Sequence, residues 1–333
     1  GGSWYSKIEK KIALNSGKTI KVKPGINTLF DVVESSEAGD VIELNSAETY
    51  QLTKTINIFH PLTFKTDGDK KAIILFGRMS AIDIQNGGGL SLDGIAFDGA
   101  KAPDYAGNAV IRTSANSMNE NYTLFINNCE FSNLIVNHSF DVVKVSKSTF
   151  ADTLSIQNST FKNITGNIVA LDKETDDTGV YNAEYVIMKN NVFKDVQGAA
   201  LRLYRGGTDE STFGPFLELE HNVFDNVGHG KRNKYNASIS LYGVQENAIK
   251  NNIFKDSKGL KMYLVVGEPI VNILNNDFYN SETLEVSGDQ KYTVDNLWKL
   301  NPNFIENSYQ LSEKSELKGK ASDGLDLGII TKK

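Results

Sequence analysis

Hydrophobic positions in this chain recur as one short motif, not as a helical stripe. Seven segments carry it: LSLDGIAFDG (90–99), LFINNCEFSN (124–133), LSIQNSTFKN (154–163), VIMKNNVFKD (186–195), LELEHNVFDN (217–226), AIKNNIFKD (248–256) and VNILNNDFYN (271–280). Each runs through alternating apolar residues, a polar pair, a phenylalanine and a short polar residue. The phenylalanines are Phe97, Phe131, Phe161, Phe193, Phe224, Phe254 and Phe278, with successive separations of 34, 30, 32, 31, 30 and 24. Three positions before Phe stands asparagine in five of the seven (Asn128, Asn158, Asn190, Asn251, Asn275). Two positions after it stands Asn or Asp in six (Asn133, Asn163, Asp195, Asn226, Asp256, Asn280).

Alternation such as Leu154-Ser155-Ile156 is strand periodicity, with successive side chains on opposite faces. Asparagine then turns the chain, because it tolerates the left-handed conformation and bonds its own backbone. A coil of about thirty residues with short strands cannot bury its inner face alone and must stack on the next coil. Stacking sets Phe on Phe and Asn on Asn. A helical solenoid would show apolar residues at i, i+3, i+4 and i+7, and these repeats do not. The pattern predicts an all-β fold: a right-handed, single-stranded parallel β-helix of the pectate-lyase-like kind. Residues 27–37, NTLFDVVESSE, predict an N-terminal capping helix with Asn27 as N-cap and Leu29, Phe30, Val32 and Val33 as its apolar face. The expected organisation is an extension or linker over 1–20, the β-helix over 21–300, and an irregular tail over 301–333 that packs on the solenoid.

Composition narrows the picture. The 333 residues carry a formal net charge of −6, which argues against a non-specific nucleic-acid binder. One cysteine, Cys129, rules out an internal disulfide framework and reads as a small buried hydrophobe. No segment approaches the apolar length needed to span a bilayer. The chain opens Gly1-Gly2-Ser3-Trp4 without an initiator Met, and so reads as a trimmed or excised product.

One stretch is more specific than the coil pattern. Leu201-Arg202-Leu203-Tyr204-Arg205-Gly206-Gly207-Thr208-Asp209-Glu210-Ser211-Thr212-Phe213-Gly214-Pro215 resembles a motif in the second β-helix of the chondroitinase B/alginate lyase family, polysaccharide lyase family 6. Tyr181-Asn182-Ala183-Glu184, Ile111-Arg112-Thr113-Ser114, Phe150-Ala151-Asp152-Thr153 and the opening Val22-Lys23-Pro24-Gly25 with Asn27-Thr28-Leu29 are similar to the same region. The resemblance runs from about residue 20 to about residue 300. It implies a bacterial protein that is secreted, periplasmic or at the cell surface, and an acidic polysaccharide, alginate or a related polyuronate, as partner. It also implies a second partner, an N-terminal β-helix of the same precursor. In two-domain members the catalytic Lys and Arg and the calcium-binding carboxylates lie mainly in that first β-helix. Calcium is accordingly expected there rather than in this chain, and no catalytic residue is carried onto this sequence. The function implied is the C-terminal half of a polysaccharide lyase acting by β-elimination; a non-catalytic carbohydrate-binding β-helix is the alternative.

β-Elimination removes the C5 proton of a uronate, which requires the neighbouring carboxylate to be neutralised and a base such as Lys, His or Tyr. Lys144, Arg202, Tyr204, Arg205, His221, Lys231 and Arg232 are the side chains of suitable type. Arg202 and Tyr204 alternate with Leu201 and Leu203 and should point outward; with Arg205 they could grip a uronate. Alternatively, Arg205 pairs with Asp209 or Glu210 and pins the loop 205–216. Asp209 and Glu210 are also candidate calcium ligands, as oxygen donors to a hard ion. The run Asp172, Glu174, Asp176, Asp177 reads as a solvated loop. Lys231-Arg232-Asn233-Lys234-Tyr235, the one dense basic run, could attract an acidic polysaccharide or simply be solvated surface. His221 occupies the asparagine position of its repeat and is expected to serve a turn.

Overall fold

A computed structural model describes residues 17–105, 107–114, 120–136, 139–207, 213–265 and 267–331. Every strand-to-strand ladder in them is parallel and joins one coil to the next, so the chain is a parallel β-helix. A typical coil has three strands, Ala183–Lys189, Val192–Val196 and Leu201–Tyr204. They stack into three columns. The first column runs from Thr19–Val22 to Thr293–Trp298, the second from Gly25–Ile26 and the third from Ile56–Ile58 to Leu284–Ser287. The first two columns merge at Ile270–Tyr279, which runs unbroken round the corner between them.

The repeat explains the interior. The seven phenylalanines pair in register from coil to coil and stack face to face, with centroids 4.5–5.1 Å apart. All are buried. Each buried ring contributes about 1.5–3 kcal/mol by leaving water and about 0.5–1.5 kcal/mol more by stacking. One residue beyond the repeating asparagine lies a second ladder. Asn191, Asn222, Asn252 and Asn276 are buried, and each of the first three donates Nδ2 to the Oδ1 of the next at 2.9–3.0 Å. Each of the four also donates Nδ2 to a backbone carbonyl one coil back. Earlier coils place Ser159 and Cys129 in this row, and burial pushes the Cys129 thiol up to about 12.

Both corners use left-handed residues. Asn128, Asn158, Asn190, His221, Asn251 and Asn275 turn the first corner at φ between 50° and 65°; Asn133, Asn163, Asp195, Asn226, Asp256 and Asn280 turn the second at 47° to 58°. An L-residue pays a steric cost there that asparagine's short amide offsets by local hydrogen bonding.

The capping helix is shorter than the sequence implies, Thr28–Glu34, with Leu29 and Val33 buried and Phe30 and Val32 packed against the core. Asn27 stands at its N-cap but does not cap it with its side chain. Its φ is 59°, and its amide instead exchanges two hydrogen bonds with Thr53 of the next coil (2.7 and 2.9 Å). The stacking interaction wins because it satisfies both ends of the amide.

The C-terminal segment crosses the outer face of the second column. Leu311, Leu317, Ala321 and Leu327 cover Val223 and Ile253 there, with Trp298 and Phe304 alongside. It then climbs the first corner, using the turn residues as docking points. Asn275 donates to the Lys320 carbonyl, Asn251 exchanges bonds with Ser322, and Asn190 accepts from the Ile330 N–H. His221 belongs to the same series, with Nδ1 2.8 Å from the Gly328 carbonyl and Nε2 2.7 Å from the Asp323 carboxylate. Its place in the turn is as expected, and its two contacts to the tail are an addition that the repeat could not reveal.

Candidate functional site

The second corner is where the coils stop being alike. Between the second and third columns, two adjacent coils turn through 165–168 and 197–200. The coil below departs through the longer 228–238. These short turns therefore form a floor between Ile135, Val136 and Ser139 on one side and the 228–238 turn on the other. The floor is tight, since a Cβ on Gly198 would collide with the Gly166 backbone, and one on Gly166 with the Phe140 backbone. The result is an open groove of about 640 Å³.

Lys231 and Arg232 stand exposed on one wall of this groove, with His229 beside them. Asn163, Asn167, Gln197 and Asn226 supply amides from the floor. Ile135, 61% exposed, and Val136 give an apolar edge on the opposite wall. Asp195 also lines the groove and accepts a hydrogen bond from Asn226 Nδ2 at 2.8 Å.

Arg202 and Tyr204 lie on the outer face of the third column, as their alternation implies, the first buried and the second half-buried. Arg202 is 9% exposed. Its guanidinium lies 4.4 Å from the Tyr235 ring centroid, donates Nη2 to Asn233 Oδ1 at 3.3 Å, and sits 3.7 Å from the Asp172 carboxylate. Asn233 in turn donates Nδ2 to the Gly228 and Ala237 carbonyls, both at 2.9 Å, closing the base of the 228–238 loop. Arg202 thus buttresses the wall that presents Lys231 and Arg232. Tyr204 completes the support: its hydroxyl is 3.0 Å from Ser240 Oγ, and its ring packs on Tyr235 and Tyr242. Burial is the main reason its hydroxyl is pushed up to about 12, so it is not a phenolate near neutral pH.

Arg205 lies apart from this cluster. It is 1% exposed, donates Nη1 to the Phe213 and Gly214 carbonyls at 3.1 and 3.0 Å, and faces the Tyr181 ring at 5.8 Å. Its guanidinium holds the returning end of the loop, which puts it out of reach of a bound sugar. Tyr181 donates to Glu184 at 2.7 Å, and burial and that carboxylate raise its hydroxyl far above the usual tyrosine range. Asp209 and Glu210 fall outside the described residues.

The acidic run Asp172–Asp177 is a solvated loop only in part. Asp172 is held by Arg202, and Glu174 is buried, accepting from the Ser148 N–H and from Asn182 at 3.4 Å. Asp176 and Asp177 are exposed, and Asp177 pairs with Lys147 at 3.2 Å. Among the described residues, no three His, Cys, Asp or Glu side chains converge as metal ligands. The features missed from sequence are Asn233 as the clasp of the loop and Gly166 and Gly198 as the floor. The unequal turn lengths after the second-corner asparagine were the available signal.

No family model matches the chain, and no curated protein sequence matches it. Among solved structures, the chain is similar to a PL6 family alginate lyase, AlyGC, with 42% identity over 90% of this chain and a TM-score of 0.84. A mutant of the same lyase gives the same values. The resemblance to polysaccharide lyase family 6 therefore holds along nearly the whole chain. The chain spans 42% of the length of that lyase.

Proposed function

We propose that this chain is one β-helix of a polysaccharide lyase, the C-terminal partner of a catalytic β-helix acting on alginate or a related polyuronate. The observation that carries this reading is the 42% identity to an alginate lyase of which the chain accounts for only 42% of the length. The chemistry of the described residues supports the division of labour. β-Elimination needs an exposed cation on the uronate carboxylate and a base within reach of C5. Arg205 is buried, Tyr204 and Tyr181 titrate well above neutrality, and Arg202 is committed to Asn233 and Asp172. The proton-abstracting groups belong, on this reading, to the preceding β-helix, together with any calcium. A polymeric sugar acid is met outside the cytoplasm, so export from a bacterial cell goes with the proposal; among the described residues no helix is long and apolar enough to cross a membrane.

The test compares this chain with the complete reading frame from which it comes, following the absorbance of the unsaturated product on alginate. The complete protein is expected to turn over and the chain alone to give no product. Product formation by the chain alone would overturn the division of labour. An upstream frame without a second β-helix would favour the carbohydrate-binding alternative, for which the cationic groove is the supporting feature.

A further inference from the structure

The geometry points to the second-corner groove as a binding site for a uronate-bearing oligosaccharide. The proposal deepens the lyase reading and rests on it for the identity of the sugar acid. Four features of the groove converge.

The first is size: about 640 Å³ lies within the range of ligand pockets, and the trough is open to solvent rather than enclosed. The second is charge. The protein carries a net charge of −6, which repels a polyanion, but Lys231 and Arg232 reverse the sign locally. Asp195 is the one carboxylate in the described lining, and Asn226 engages it. The third is the kind of polar group. Amides from Asn163, Asn167 and Gln197 offer both donors and acceptors to ring hydroxyls. Asn167 is oriented by the Ala199 N–H, which donates to its Oδ1 at 2.9 Å. Ile135 and Val136 provide a surface for the C–H face of a pyranose. Among the described residues, no Phe, Tyr or Trp lines the groove; His229 is its one aromatic ring.

The fourth is rigidity. The wall bearing Lys231 and Arg232 is clasped by buried Asn233, which is held in turn by Arg202 over Tyr235. Binding therefore does not have to order the loop, and that entropy is not subtracted from affinity. Arg202 is a positioning residue for this site. It does not touch the sugar.

The experiment is calorimetric titration of the chain with a saturated alginate hexasaccharide, with a neutral β-1,4-glucan hexasaccharide, and with a DNA oligomer of matched charge. The uronate oligomer is expected to bind, with affinity falling as salt is added, and the other two at least about tenfold more weakly. The double variant Lys231→Ala/Arg232→Ala should weaken uronate binding by at least about tenfold through loss of charge-assisted contacts. Lys23→Ala/Lys314→Ala, which removes the same charge elsewhere, should leave it unchanged. Circular dichroism and melting curves establish that each variant is folded. The proposal is overturned if the uronate oligomer does not bind, or if the groove variant binds like the parent. Equal binding of the neutral sugar or the DNA, or an equal loss in the control variant, also overturns it. The lyase assay on the complete reading frame is scored separately. Turnover without groove binding defeats this proposal and leaves the lyase reading standing; groove binding without turnover does the reverse.

Discussion

The two asparagine corners begin with the same left-handed residue and end in opposite roles. At the first corner, from residue 94 onward, no more than two residues separate the strands. The amides of Asn191, Asn222, Asn252 and Asn276 line up inside it, and the C-terminal segment covers the later coils outside. At the second corner the left-handed residue is kept, but the turn that follows ranges from 197–200 in one coil to 228–238 in the next. A fixed turn lets identical polar groups meet at every rung and satisfy one another. An inserted turn breaks that repetition and raises a wall. In stacked repeats, insertions fall on one face without disturbing the core, and that face is free to take on binding.

This contrast is open to test. Its hardest test is Asn222→Ala, which leaves the Asn191 amide and backbone N–H without their buried acceptor. The expected loss is about 2–4 kcal/mol in urea unfolding, because unsatisfied buried polar groups carry most of their desolvation cost. A loss below about 1 kcal/mol would mean that the ladder is relieved by water.

A pH experiment probes the covered side. Asp277 is buried beneath the tail, accepts the Leu300 N–H at 2.8 Å, and is raised by burial to about 7. An unfolded Asp titrates near 3.9. Between these values the folded state keeps a proton that the unfolded chain releases, so stability should fall as pH rises from about 4 to about 7. Asp277→Asn should flatten that decline and raise the melting temperature at pH 8 above the parent's. A parent whose melting temperature does not fall over this range would contradict the assignment.

A smaller effect is expected for His221→Asn. The replacement keeps a residue suited to the left-handed turn but is too short to hold both Gly328 and Asp323. It should cost about 1 kcal/mol and speed proteolysis of the tail while leaving the coil stack intact. The smallest effect is expected at the second corner. Asn226→Gly should shift stability by no more than about 0.5 kcal/mol, since the site is exposed and glycine accepts the positive φ without strain. A loss comparable to that of Asn222→Ala would erase the distinction between the corners.

Legibility in the sequence follows the same division. Phe193 over Phe161, or Asn158 beside Asn190, can be read from one coil because every coil repeats the same local choice. The capping segment and the lyase resemblance are likewise readable from contiguous residues. Asn27 could be misassigned as a side-chain cap because its true partner, Thr53, lies in the next coil. Arg205 illustrates the remainder. Its type and its place in a family-like motif suit a uronate ligand, and only the return of the chain at Phe213 and Gly214 shows that its guanidinium is already occupied.

What the amino-acid order settled alone was the repeating coil: alternation, a left-handed polar turn and an inward phenylalanine, all fixed by neighbours in sequence. What waited for the folded chain was which charges stay in water. Arg202 and Arg232 are of one residue type, yet stacking buries the first under Tyr235 and leaves the second on a groove wall. Solvation depends on what lies across the coil rather than along it, and no local pattern encodes that.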